Sequence, residues 1–239
     1  MDQMKVFCSW SGGKESSLAC YRAILEGFEV SFLLNMISED GKRSRSHGLD
    51  SKLLEAQSKA MDMPIVQRKT TWDSYEDEFK KAVSDLKKQG IAGGIFGDID
   101  LQEHRDWVER VCKESGIEAF EPLWHNERRH LLKEFIEAGF NALIVATKPE
   151  LMNHEWLGRN IDEKFINDLA ALKNIDLCGE AGEYHTFVTD GPMFKEKIEI
   201  LSAKKVLRDN HWFLDIKDYR LVVPPASSFG RRSSGTKVR

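Results

Sequence analysis

KVFCSWSGGKESSLA, from Lys5 to Ala19, reads as a buried strand, a glycine turn and the first turns of a helix. Val6, Phe7 and Cys8 form a short apolar run of the kind that is covered on both faces in a parallel sheet. Ser11-Gly12-Gly13 interrupt it, because paired glycines reach backbone angles and close approaches that other residues resist. From Lys14 the spacing turns helical, with Leu18, Ala19, Tyr21, Ala23, Ile24 and Leu25 supplying the apolar positions.

A glycine turn feeding a helix N-terminus is an anion site. The first amides of the helix lack internal partners, and the macrodipole adds about half a positive charge there. Ser11, Ser16 and Ser17 add hydroxyls and Lys14 a full charge, a set that suits a pyrophosphate. The Walker A spacing is absent, as is the dinucleotide pattern of three spaced glycines. Ser11-Gly12-Gly13-Lys14-Glu15-Ser16 instead resembles the SGGxDS loop of the ATP pyrophosphatases, with Glu15 where that group usually has Asp. The resemblance implies ATP bound at Ser9, Ser11, Gly12, Gly13, Lys14, Glu15 and Ser16.

The remaining chain alternates strand and helix. Val30–Ile37, Pro64–Val66, Ile91–Ile99 and Glu118–Leu123 read as strands. Leu49–Met61, Asp73–Gln89 and Asp106–Ser115 read as the helices between them. This order predicts an α/β fold, a Rossmann-like five-stranded parallel sheet with helices on both faces. In such a sheet ligands lie beyond the carboxyl ends of the strands, which places the polar segment 39–46 and Gly97-Asp98 on the active side. A smaller α+β unit should follow: a helix over His130–Ala138, a strand over Ala142–Ala146 and a helix over Asp162–Leu172. A strand over Lys195–Leu201 and an antiparallel pair turning at Asn210 complete it. Residues 1–124 and 125–223 are the expected domains, and the Ser-, Gly- and Arg-rich stretch 224–239 is expected to be a disordered tail.

Composition excludes several classes. At 239 residues the chain has ample length for a core, and 41% apolar with 31% charged residues is ordinary for a globular protein. A net charge of −4 argues against a general nucleic-acid binder, which needs a basic excess. No apolar run approaches the roughly 20 residues of a membrane span. Cys8, Cys20, Cys112 and Cys178 lie far apart with no metal-ligand spacing, and no signal peptide is visible, so a reducing cytoplasmic location is expected.

The second chemical block is Cys178–Phe187, CGEAGEYHTF, read as a loop. It sets Glu180, Glu183, His185 and Thr186 around Gly179 and Gly182, offering charge and proton transfer. From composition alone a solvated surface turn is the competing reading.

Taken together, SGGKES, His47 after the second strand, GDID at 97–100, EPLW at 121–124, LGR at 157–159 and CGEAGEYHTFVTDGPMF at 178–194 resemble the diphthine–ammonia ligases, the ATP-binding domain 4 group. The likeness covers residues 4 to 223, and its last block is the specific part. It implies a sheet of the adenine nucleotide alpha-hydrolase type and an AMP-forming ligase. Such an enzyme adenylates the carboxylate of diphthine on the translocation elongation factor, releases pyrophosphate and transfers free ammonia. It implies ATP and Mg2+ as cofactors, with Met36, His47, Gly97 and Asp98 adding to the nucleotide site. Glu15 and Asp98 would hold the metal; Lys14, Glu15, Asp98 and Glu183 would be catalytic. Glu180, Gly182, Glu183, His185 and Thr186 would meet the acceptor, with Trp124 or Tyr184 against its trimethylammonium group. Ala181 departs from the family's paired central glycines. No membrane or direct nucleic-acid partner is expected, and a homodimer is an open possibility. Two other readings stay open: a related pyrophosphatase amidating or thiolating tRNA or a small molecule, and a non-catalytic nucleotide-binding module. Relatives in organisms without diphthamide must use another acceptor.

Overall fold

The computed structural model describes residues 3–45 and 47–223. The expected tail, 224–239, lies outside them. β1 (Lys5–Ser9) runs through the centre of a five-stranded parallel sheet. Its neighbours are β2 (Glu29–Ser38), β3 (Ile65–Thr70), β4 (Gly93–Ile95) and β5 (Glu118–Phe120), in the order β3-β2-β1-β4-β5. Strand order reverses at β1, and the crevice above such a reversal is where open α/β sheets bind ligands.

β1 serves two cores at once. Val6 and Cys8 face α1 (Lys14–Leu25) and α2 (Ser51–Met61), meeting Leu18, Ala19, Leu53 and Leu54. Phe7 faces α3 (Tyr75–Lys87) and α4 (Gln102–Ser115), meeting Phe79, Val83 and Val108. Each fully buried Leu or Phe of this kind is worth about 1.5–3 kcal/mol relative to exposure. Asp50 caps α2 by accepting the Lys52 amide at 3.0 Å, and Gly116 ends α4 with a φ of +66°.

Several boundaries differ from expectation, two of them beside the crevice. The strand expected over Ile91–Ile99 is only Gly93–Ile95, because the chain leaves the sheet after Ile95. Its glycines admit neighbouring rings: a Cβ on Gly94 would lie 2.6 Å from Phe7, and one on Gly93 2.7 Å from Phe120. α4 begins at Gln102, ahead of the expected Asp106, with Leu101 at its cap position, so Asp98 is not a helix cap.

The second sheet contains β6 (Asn141–Thr147), β7 (Tyr184–Asp190), β8 (Lys197–Arg208) and β9 (His211–Val222), antiparallel in the order β7-β6-β9-β8. α5 (Arg128–Glu137) and α6 (Glu163–Ala170) pack with it. The expected strand Lys195–Leu201 runs on to Arg208, with a register irregularity near Ser202, and pairs along its length with β9. Asp209 and Asn210, with φ of 46° and 55°, turn the hairpin as a pair of left-handed residues. The block read as a loop is a loop only to Glu183; Tyr184 onward is β7, so His185 and Thr186 stand on a strand.

One hydrophobic core crosses between the sheets, from Cys8 and Leu54 to Phe135, Phe165, Phe187 and Ile198. Arg22 of α1 ties the halves further, donating to Glu134 at 2.8 Å and to the Pro122 carbonyl at 2.7 Å. Among the described residues no helix is long and apolar enough to cross a membrane.

Candidate active site

A cavity of about 520 Å3 opens at the carboxyl ends of β1, β2 and β4, closed on its far side by the loop before β7. Ser9, Ser11, Lys14, Glu15 and Ser16 line it from β1 and α1; Met36 and His47 from β2 and the loop after it; Gly97 and Asp98 from the chain after β4. Glu180, Gly182 and His185 line it from the second half. The structure thus brings these sequence-selected residues to one space.

The glycine loop is folded by what surrounds it. Gly12 has a φ of +81°, and a Cβ there would run into Leu54 and lie 2.7 Å from Gln57 Oε1. A Cβ on Gly13 would meet the His47 ring and lie 3.2 Å from Thr186 Oγ1. These glycines therefore admit α2, His47 and β7 rather than a ligand, and neither lines the cavity. The Gly12 carbonyl accepts the Val188 amide at 2.9 Å, so the loop lies along the edge of β7. Gln57, fully buried on α2, donates to the Gly12 carbonyl at 3.0 Å and the Val188 carbonyl at 2.7 Å, and accepts from Trp10 Nε1 at 2.9 Å.

This bracing decides which amides face the cavity. Thr186 Oγ1, itself buried, accepts the Lys14 amide at 3.0 Å, and Ser17 makes the first helical bond, to Gly13, at 3.1 Å. The Glu15 and Ser16 amides have no partner among the described residues, and with the α1 dipole they form the anion-accepting end. Thr186 is thereby a support for the loop and not an acceptor contact.

Lys14 is 4% exposed, its ammonium 2.5 Å from Glu15 Oε1 and 2.6 Å from the Cys178 carbonyl it donates to. Burial alone would lower its pKa; the Glu15 charge outweighs that and raises it, so Lys14 stays charged. Its Nζ sits 4.4 Å over the Tyr184 ring, and Arg105 sits 4.6 Å over Trp124. The two aromatic faces expected to meet an acceptor cation are already covered by the chain's own cations.

Glu15, Asp98 and Glu180 form an acidic side. Burial, then the Glu15 charge, push the Glu180 carboxyl up to about 7, against the pull of Lys14. Asp98 accepts from or pairs with His104 Nδ1 at 3.1 Å, and this contact raises the His104 pKa. Opposite stands an aromatic wall of Tyr75, Phe79, Phe96 and Trp107, with Trp72, 70% exposed, at the mouth under Arg45.

Glu183 requires a correction. It is 3% exposed and does not line the cavity; its Oε1 accepts the Asp176 amide at 2.9 Å, and its carbonyl accepts the Lys148 amide at 3.0 Å. It holds the loop rather than touching a substrate. Asp176 assists by accepting the Cys178 amide at 2.8 Å and the Glu180 amide at 3.3 Å, while Arg128 bridges Asp176 to Asp100. Tyr184 donates its hydroxyl to the Leu177 carbonyl at 2.6 Å. Of the two glutamates, only Glu180 is presented to the cavity.

Sequence reasoning passed over Arg45, Trp72, His104 and Asn35, which also line the space. None belongs to a motif; Arg45 lies in the polar segment 39–46 already placed on the active side, and Trp72, in a polar loop after β3, was an aromatic with no apolar neighbours in sequence.

The diphthamide synthase N-terminal domain matches residues 4–119 and the diphthamide synthase C-terminal domain residues 127–222. Diphthine–ammonia ligases of Rattus norvegicus and Mus musculus are 28% and 29% identical over 243 residues, covering 91% of this chain and 91% of each relative. The Homo sapiens diphthine–ammonia ligase is 27% identical over 92% of this chain and 91% of its own length. Among solved structures, a predicted subunit of tRNA methyltransferase from Methanocaldococcus jannaschii aligns with a TM-score of 0.39 and 16% identity, over 59% of this chain and 80% of that one. With the two domain matches end to end over the sheet, the loop and the acidic block, the chain belongs to the diphthamide synthase family.

Proposed function

We propose that the chain is an AMP-forming ligase that joins ammonia to the carboxylate of diphthine on the elongation factor, using ATP. The observation that carries this reading is one cavity in which the anion-accepting end of α1 faces the acidic loop of the second half. A carboxylate is a poor acyl donor because oxide would have to leave. Attack of its oxygen on the α-phosphorus breaks the bond to the bridging oxygen and releases pyrophosphate. Ammonia then attacks the acyl carbon, AMP departs with the former carboxylate oxygen, and the surplus nitrogen proton passes to water.

This chain's residues have separable parts in that sequence. The Glu15 and Ser16 amides and the hydroxyls of Ser11 and Ser16 receive phosphate oxygens, with Lys14 fixed behind them. Preformed donors of this kind favour charge building on the leaving pyrophosphate without reorganising. Cys178 and Tyr184 hold the Lys14 ammonium in place. Glu180 stands where acceptor and ammonia must meet the nucleotide.

Mg2+ fits the acidic side. Burial first, then the charge of Glu15 and more weakly that of Asp98, lift Glu180 to about 7, and a cation would relieve the repulsive part. Such an ion keeps waters and phosphate oxygens and takes only one or two carboxylates. Glu15 and Asp98 would hold it, and it would offset polyphosphate charge.

The test supplies ATP, ammonium chloride and diphthine-bearing elongation factor labelled with 18O in the acceptor carboxylate. Equimolar amide, pyrophosphate and 18O-labelled AMP are expected. ADP and phosphate as products, or AMP formation indifferent to the acceptor, would refute the reading.

A further inference from the structure

His47 and His185 are the only cavity-lining pair of rings in the described structure that stack face to face without belonging to the aromatic wall. Their centroids are 4.5 Å apart and their planes 24° from parallel. His47 comes from the loop after β2 and His185 from β7, so the pair spans the two halves of the chain. The Thr186 carbonyl lies 3.2 Å from His47 Nδ1; since a carbonyl only accepts, Nδ1 carries the hydrogen and Nε2 is left with its lone pair. The His185 ring, on a strand paired through its backbone with β6, has no hydrogen-bond partner among the described residues.

The cavity's permanent cations are already engaged. Lys14 is held by Glu15 and the Cys178 carbonyl, and Arg45 donates twice to the Thr70 carbonyl, at 3.2 and 2.9 Å, beneath Trp72. Against them stand Glu15, Asp98 and Glu180. A polyphosphate entering this space finds fewer free cations than carboxylates. Beyond a cation on the acidic side, and with His104 engaged by Asp98, two unprotonated imidazoles beside the Gly13 turn are able to add positive charge.

We propose that the His47–His185 pair contacts the phosphate chain of ATP and takes up one proton as the nucleotide binds. This rests on the reading that ATP occupies the cavity. Without the anion the pair is neutral: burial lowers both rings, His185 to about 4, and Lys14 repels a proton from each. His185 is opposed further by His211 of β9 and Lys148 after β6. On its other side His47 borders a small cavity with Arg43, Asp50, Arg208 and Asp215, two charges of each sign. The polyphosphate reverses this field, and a stacked pair shares one proton more readily than two. The protonated pair then donates from Nε2 of His47 or from the His185 ring, a charge-assisted bond that the neutral tautomer of His47 is unable to make.

Calorimetric titration of the protein with Mg-ATP, in buffers of differing ionisation enthalpy at pH 7, reads the proton count directly. Uptake of about one proton per ATP is expected in the wild type and its loss in His185→Gln and His47→Gln. Affinity should tighten on the order of tenfold from pH 8 to pH 6.5, and flatten in His185→Gln. Glu180 also titrates in this range, so Glu180→Gln separates its share of the proton count from that carried by the two rings. Uptake lost in Glu180→Gln but kept in the histidine variants, or no uptake in a wild type that binds ATP, overturns the proposal. If a histidine variant fails to bind ATP, the wild-type pH dependence and the Glu180→Gln proton count decide. A wild type that binds no ATP refutes the reading of the cavity itself.

Discussion

Gln57→Met is the sharpest probe of how the phosphate loop is built. Methionine matches glutamine closely in length and volume, so contacts with α2 survive while the amide's three hydrogen bonds go. The Gly12 carbonyl keeps the Val188 amide at 2.9 Å and loses least. Trp10 Nε1 and the Val188 carbonyl, on residues 2% and 0% exposed, lose the partners described above. An unsatisfied buried group costs about 1–3 kcal/mol, so the pair costs about 2–6 kcal/mol. Against a total stability of about 5–15 kcal/mol that is a large share. Urea unfolding followed by tryptophan fluorescence measures it, Trp10 itself reporting on the site. With slopes of about 1–3 kcal/mol/M the midpoint should fall by about 1 M or more. A midpoint unchanged within error would mean that water replaces the amide, and that Gln57 does not brace the loop.

Further outcomes follow for the two glutamates of the acidic block. Glu183→Gln should lower the unfolding free energy by about 1–3 kcal/mol, since it weakens the bond to the Asp176 amide, while ATP affinity in the folded variant changes little; a selective loss of acceptor turnover at unchanged stability would restore its catalytic assignment. Glu180→Gln should act on stability with a distinct pH signature. The fold raises this carboxyl from its ordinary 4.5 to about 7, so between those values the folded chain holds more proton than the unfolded chain, and stability falls as pH rises. Removing the charge should stabilise the protein by about 1–3 kcal/mol at pH 8, allowing for solvent screening, and by nothing at pH 4. Equal effects at both pH values, read from urea midpoints, would refute the burial account.

The first half of the fold was legible because its signals are local. β1, the glycine turn and α1 lie within one short stretch, and strand–helix alternation leaves few topologies. The placing of Asp98 followed from the rule that ligands sit above the strand ends, while Ser9, Met36 and Glu180 came from the family resemblance. What escaped depends on contacts distant in sequence. Glycines 12 and 13 read as room for a ligand, but the occupants of that room are Leu54, Gln57, His47 and Thr186, which no local pattern places there. Glu183 and Glu180 are chemically alike in sequence; the turn at Gly182 sends one carboxylate inward to the Asp176 amide and the other to the cavity. Tyr75, Phe79 and Trp107 carry helical spacing that marks a core face, and nothing in that period tells that its upper end walls a site.

The seam between the Gly12 carbonyl and the Val188 amide bears on modularity. The first half looks like a self-sufficient nucleotide-binding unit, yet its signature loop borrows one rung from a strand more than 170 residues later. Cut apart at the linker before α5, the first half would carry the motif but lose the Val188, Thr186 and Phe187 contacts that shape and shelter it. A second half taken from another relative would likewise need an edge strand able to meet the same loop. Recombination between relatives should therefore respect α2, the loop and β7 as one inherited block, although they are scattered along the gene.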